Sequence, residues 1–298
     1  MASFFDEIAR NSLKSVLLMA LFSAFFVAVI YLFVVFLGGG VFSFTFAIAL
    51  VAIYGLITYY TGDKLVLAVS GAKEADPKKY RQLYGIIEGL AAATQIRMPK
   101  VYIIEDPTPN AFATGRSKNL SSVAVTTGIL SIMGKNELTG VLAHEMSHVA
   151  DNDVQFMTIA IVFAGAIGII SAFMRNMLFF GGANGERNNG GALLLIALVL
   201  GLLAPFFALL IRLAISRKRE YMADANGARL TRDPHSLADA LKKIQAFEKN
   251  PDTPQMQNVN EVTANLYFSS PFKAGSFANL FSTHPPIAER IKKLEAMY

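Results

Sequence analysis

The sequence predicts a mainly α-helical membrane protein, with four transmembrane helices and a cytoplasmic α+β domain built round a small β-sheet. Two observations predict the membrane part. Of 298 residues, 53% are hydrophobic and only 16% are charged, with a mean hydropathy of +0.42; a soluble domain is usually near a quarter charged. Four charge-free stretches, 16–37, 41–61, 156–174 and 192–211, reach the ~20 apolar residues that cross a hydrocarbon core. The α+β domain is predicted by helical and β-prone patterns, separated by turn signals, in the remaining sequence.

The first stretch, Val16 to Leu37, exceeds the roughly 7–15 residue core of a signal peptide and precedes no small-residue cleavage site. Gly38-Gly39-Gly40 links it tightly to the second. Residues 1–61 are therefore an N-terminal transmembrane hairpin. Residues 156–215 form a second hairpin, with Pro205 as a kink in its second helix. Arg10 and Lys14 precede the first span, Lys64, Lys73, Lys78 and Lys79 follow the second, and Arg217, Lys218 and Arg219 follow the fourth. This bias places both termini in the cytoplasm, at the cell (inner) membrane. Segments 62–155 and 216–298 then share one side, so a single site can draw on both. The net charge of +5 is a basic flank against the anionic lipids of the bilayer. No basic patch interleaved with aromatic residues points to nucleic acid. There is no cysteine, which excludes disulfides and limits a zinc site to histidine and carboxylate, the donor set of a catalytic site.

Along the cytoplasmic segments, Asp76-Pro77 opens a helix to about residue 93, with Leu83, Ile86, Ile87 and Leu90 on one face. Residues 101–104 read as a buried strand and Asp106-Pro107-Thr108-Pro109 as a loop. Residues 110–115 form an exposed edge strand beside a β-prone run at 121–126. A short helix spans 126–133. Asn136 caps the next one, with Glu137 in its first turn. That helix runs on through Asp151 and Asp153 towards Phe156. The eight residues from His148 to Phe156 are about 12 Å of helix, which sets the site close to the membrane surface. Further helices cover 217–230 and follow Asp233-Pro234, the latter with Leu237, Leu241, Ile244 and Phe247 on one face. Residues 249–283, with Pro251, Pro254 and Pro271, are irregular: either a lid or a mobile surface loop.

The chemistry is concentrated in His144-Glu145-Met146-Ser147-His148. Histidines at i and i+4 lie on one helical face, about 40° apart round the axis, and can converge on one zinc ion. Glu145 flanks that ion and is placed to act as a general base towards water, the zinc-peptidase arrangement. By composition alone the pattern should arise roughly 0.002 times in such a chain. A third ligand is needed. Glu220 and Asp224, also at i and i+4, share a face: Glu220 can reach the metal, and Asp224 can accept from a ligand histidine's Nδ1–H. By themselves, the charges of 217–220 read equally as a solvated helix start. Asp151 and Asp153 either order the ligand helix or form a polar collar before the membrane. His235 reads as a surface residue at a helix start.

The chain resembles the HtpX-type membrane zinc metalloproteases, in the group that includes the CAAX prenyl endopeptidases. The resemblance covers nearly the whole length and rests on four segments in order: Asn110 to Gly115, His144 to His148, Ser216 to Asp224, and Thr283 to Ile291. It implies a zincin-like metalloprotease domain assembled from 62–155 and 216–298. It implies one Zn2+ per chain held by His144, His148 and Glu220, with Asp224 and Arg290 supporting them. It implies that Glu145 is catalytic and that His284 stabilises the tetrahedral intermediate or orders the site; otherwise His284 is merely a helix-start residue. The strand carrying Asn110, Ala111 and Phe112 would pair with an extended substrate backbone. There Asn110 either holds a substrate carbonyl or simply tolerates the turn after Pro109. The implied substrates are unfolded polypeptides or misfolded membrane proteins, cut in a stress response. A prenyl-peptide processing enzyme fits less well, because that branch encloses its site with more than four spans. Oligomeric state is unspecified by the sequence.

Overall fold

Residues 43–61 are apolar and uncharged, and nothing in them breaks a helix. In the computed structural model they begin α1 (Ser43–Val69), which continues past Thr61 through Asp63 and Lys64. Phe44, Phe46, Ile53, Leu56 and Ile57 are exposed on it. Among the described residues this is the helix long and apolar enough to cross a membrane, over Phe44–Val69. The structure describes residues 20, 23–28, 30–31, 40, 42–160, 162, 217–250, 252–254, 268 and 285–297. The expected span 192–211, most of spans 16–37 and 156–174, most of segment 249–283, and His284 lie outside the described residues. Contacts divide the chain into two compact units, residues 1–62 with 171–203 and residues 63–170 with 204–298.

The second unit holds a four-stranded sheet in the order β1 (Lys73–Glu74), β2 (Lys100–Ile104), β4 (Leu120–Thr126), β3 (Ala111–Ser117). β2 and β4 run parallel, pairing Val101 with Val123 and Ile103 with Val125. β3 runs antiparallel to β4 at the sheet's end. The expected edge strand is thus at an edge, yet residues 111–115 are buried rather than exposed, because other parts of the unit cover them.

The helices follow the apolar periodicity. α2 (Arg81–Thr94) buries Leu83, Ile86, Ile87 and Leu90. It starts later than residue 77 because Asp76 turns the chain first: its Oδ1 accepts from the Lys78 N–H and its carbonyl from the Tyr80 N–H. Thr126 caps the short α3 (Thr127–Ile132) through its Oγ1. α4 (Lys135–Ala150) is capped by Gly134, not Asn136, since the Glu137 carboxylate accepts from the Gly134 N–H at 2.7 Å. α5 (Arg217–Thr231) and α6 (Pro234–Lys249) follow, the latter capped by Asp233, which accepts from the His235 and Ser236 N–H groups. α7 (Ile287–Glu295) closes the unit. Its core joins the α2 stripe to Val123 and Val125, to Val141, Leu142 and Met146 of α4, and to Leu237, Leu241 and Ile244 of α6. A Cβ at Gly140 would stand 2.8 Å from the Leu237 nitrogen, so glycine permits the close approach of α4 to α6.

α4 does not run straight on towards Phe156. It ends at Ala150, and Asn152 adopts a left-handed φ of 61° before helix resumes at residue 153. Asparagine tolerates that conformation better than most residues. Its Oδ1 also accepts from the Lys118 N–H in the β3–β4 turn, at 3.0 Å.

Candidate metal centre

α4 presents His144 and His148 one helical turn apart, facing α5. The two helices meet closely because residue 227 is glycine: a Cβ there would lie 3.0 Å from the His144 nitrogen. That approach brings Glu220 of α5 to both histidines. The His144 and His148 Nε2 atoms are 3.3 Å apart. Glu220 Oε2 lies 3.6 Å from the first and Oε1 3.5 Å from the second. All three residues are buried. Ligand atoms about 2.0–2.1 Å from a tetrahedral zinc stand roughly 3.3–3.5 Å from one another. The donor set and its spacing therefore fit one zinc ion.

Behind each Nε2 stands a carboxylate on Nδ1. His144 Nδ1–H donates to Asp224 Oδ1 at 2.9 Å. Asp224 in turn accepts two bonds from Arg290, 2.6 Å from Nη2 and 2.9 Å from Nε. Arg290 Nη2 also lies 3.4 Å from His144 Nδ1; the shorter Asp224 contact places the proton on Nδ1, since the guanidinium offers no acceptor. His148 Nδ1 lies 3.2 Å from Asp153 Oδ2. Burial by itself drives both imidazoles towards neutrality. Asp224 and Glu220 outweigh it at His144, and Asp153 and Glu220 at His148, so both are held above the usual histidine range. Burial would likewise raise the Asp224 carboxyl, but Arg290 and His144 hold it down to about 2. Cation binding at such a cluster displaces protons.

Glu145 lies in the same pocket, which is lined also by Ala113, His144, His148, Met157, Glu220 and Phe268. Of the candidate substrate contacts, Asn110 is fully buried and its Oδ1 accepts from the Ala111 N–H. The Ala111 carbonyl accepts from the Phe268 N–H at 2.9 Å, and Phe112 is wholly buried. Ala113 is instead the β3 residue in the pocket wall. Phe268 stands edge-on to His144, with ring centroids 5.0 Å apart, and carries the Arg290 guanidinium over its face at 4.7 Å. Nothing in its irregular sequence neighbourhood marked it. Met157 was missed because it reads as part of a membrane span. His284, the remaining candidate, lies outside the described residues.

Asp151, at the end of α4, is held up to about 6 by burial and then by the Asp153 charge. A folded-state pKa above the ordinary value near 4 favours folding below about pH 4, and the benefit fades as pH rises through 6. Asp151→Asn keeps an oxygen acceptor for Asn226 but carries no charge. In chelator, it should melt higher than wild type at pH 7.5, by about 1–2 kcal/mol of stability after solvent screening. The gap should close as pH falls to 4. An unchanged gap across that range would assign Asp151 no such role.

Residues 77–298 match the profile of Peptidase family M48. A "Protease HtpX homolog" of Caldanaerobacter subterraneus subsp. tengcongensis is 43% identical, covering 97% of this chain and 96% of its own. Another, of Thermoanaerobacter pseudethanolicus, is 42% identical with the same coverage. Among solved structures, S. mikatae Ste24p shares the fold with a TM-score of 0.51 at 20% identity, over 97% of this chain and 67% of that one.

Proposed function

The chain belongs to peptidase family M48, a metalloprotease hydrolysing peptide bonds, and from that premise we propose that it is a zinc-dependent endopeptidase of the cytoplasmic membrane that cuts misfolded or damaged membrane proteins on the cytoplasmic side. The observation that carries the reading is the convergence of His144, His148 and Glu220 ligand atoms within 4.8 Å of one another, in one pocket with Glu145.

These three residues would hold one Zn2+. When bound, the ion supplies Lewis acidity, acidifying water and polarising a carbonyl. Glu145 takes the proton from the attacking water on its carboxylate and returns it to the leaving amine. Asp224 and Arg290 keep His144 in the tautomer whose Nε2 lone pair faces the ion. By family resemblance His284 assists the developing oxyanion.

The substrate backbone meets the outer edge of β3 at Ala113, because the Ala111 carbonyl and the Gly115 N–H on that edge already bond Phe268 and Thr158. Asn110 shapes that edge by tying back the Ala111 N–H, and Ala113 supplies the contact nearest the metal. A membrane-derived substrate is supported by Met157, which lies within the expected third span and yet lines the pocket. The exposed apolar surface of α1 supports membrane residence. In this reading 1–61 and 156–215 are transmembrane hairpins, and 62–155 with 216–298 make the protease domain beneath the bilayer.

The test is cleavage of an unfolded protein by the full chain, purified in detergent with a chelator. Cutting should be absent until zinc is added and should appear at one zinc per chain. Cutting that persists in chelator, or a chain that binds no zinc, would overturn the proposal.

A further inference from the structure

The sequence offers Asp224 as a partner for one of the two histidines without saying which, and Asp151 and Asp153 either as ordering the ligand helix or as a polar collar; the structure gives Asp224 to His144. We propose that Asp153 is the positioning residue of His148, as Asp224 is of His144, and that the break at Asn152 exists to put it there. This inference rests on the metal-centre reading above.

Had α4 continued unbroken, residue 153 would sit five positions beyond His148, about 140° further round the helix and turned away from its ring. The left-handed Asn152 (φ 61°) swings the chain back instead. Asp153, 8% exposed, then reaches His148 Nδ1 with Oδ2 at 3.2 Å. The turn is held on both sides of the break. The Asp151 carboxylate accepts from Asn226 Nδ2 of α5 at 3.2 Å, and Asn152 Oδ1 accepts from the Lys118 N–H at 3.0 Å.

The second oxygen of Asp153 lies 3.5 Å from Arg219 Nη1. Arg219 immediately precedes Glu220, and its guanidinium sits over the Phe156 ring at 5.0 Å. One carboxylate thereby braces the ring of one ligand and the residue next to another. Each ligand histidine has an aspartate on Nδ1 with an arginine behind it: Asp224 with Arg290, and Asp153 with Arg219. An anionic acceptor on Nδ1 keeps that nitrogen protonated and leaves the Nε2 lone pair for the cation.

The test measures zinc affinity by competition with a chromogenic chelator, on the detergent-solubilised full chain, for wild type, Asp153→Ala and Asp153→Asn. Asparagine keeps an acceptor oxygen in the same place; alanine does not. Asp153→Ala should weaken zinc binding about 10–100-fold, and Asp153→Asn distinctly less. The melting temperature of the metal-free chain is read alongside, because a merely structural role would appear there without separating the two variants in zinc affinity. Wild-type affinity in Asp153→Ala, or equal losses in both variants, would overturn the inference while leaving the metal centre standing. Failure of the wild-type chain to bind zinc would overturn the metal centre and this inference with it.

Discussion

Glu145→Gln is expected to bind one zinc per chain as the wild type does and to lose peptide hydrolysis by about 10³-fold, some 4 kcal/mol of transition-state stabilisation. Glutamine has nearly the same shape and cannot accept a proton. Glu145 is 3% exposed and lines the same pocket as His144 and His148, yet it is not among the three groups whose ligand atoms converge. Its removal should therefore separate chemistry from metal binding. The measurement is steady-state cleavage of an unfolded protein by the zinc-loaded variant, with metal content from elemental analysis. Undiminished turnover would remove Glu145 from the mechanism. Loss of zinc together with activity would make it part of the metal's support instead.

Arg290→Leu should destabilise the unit by about 3–5 kcal/mol, the usual result of breaking a buried ion pair from one side. The guanidinium is 1% exposed and makes both bonds to Asp224. Without it the Asp224 carboxylate stays buried with only His144 to offset its charge, and its pKa rises from about 2. The sign of the pH effect follows. A depressed carboxylate contributes stability above its unfolded value near 4, and that stability is lost as pH falls from 4 towards 2. The variant should show a smaller acid limb, since His144 alone then holds the carboxyl down. Asp224→Leu with Arg290→Leu removes both charges, so most of the stability should return while zinc binding stays about 10–100-fold weaker. Thermal unfolding in detergent and chelator competition read the two effects separately. A double variant no more stable than Arg290→Leu alone would refute the ion-pair account.

Much of the fold was legible because its signals are local. Leu83, Ile86, Ile87 and Leu90 recur at helical spacing and are buried together. Val101 and Ile103 pair with Val123 and Val125 in the β-prone runs. The departures arise where a side chain competes with the backbone pattern. Asp76 delays α2 by accepting from three N–H groups, those of Lys78, Lys79 and Tyr80, Glu137 moves the cap of α4 to Gly134, and Asn152 ends a helix that apolar periodicity would have carried onward. Phe268 left no trace in the sequence because its partners, Ala111, His144 and Arg290, are remote along the chain.

Sequence alone determined the pairing of His144 with His148 and of Glu220 with Asp224, because helix pitch sets every i, i+4 relationship without regard to the rest of the molecule. It also determined the apolar character of residues 41–61. Tertiary structure decided that these two pairs face one another, through the glycine at 227 that lets α5 close on α4. It decided too that Asp153 rather than Asp151 meets His148. Those outcomes depend on the packing of segments more than 70 residues apart and on one left-handed turn, and no local periodicity encodes either.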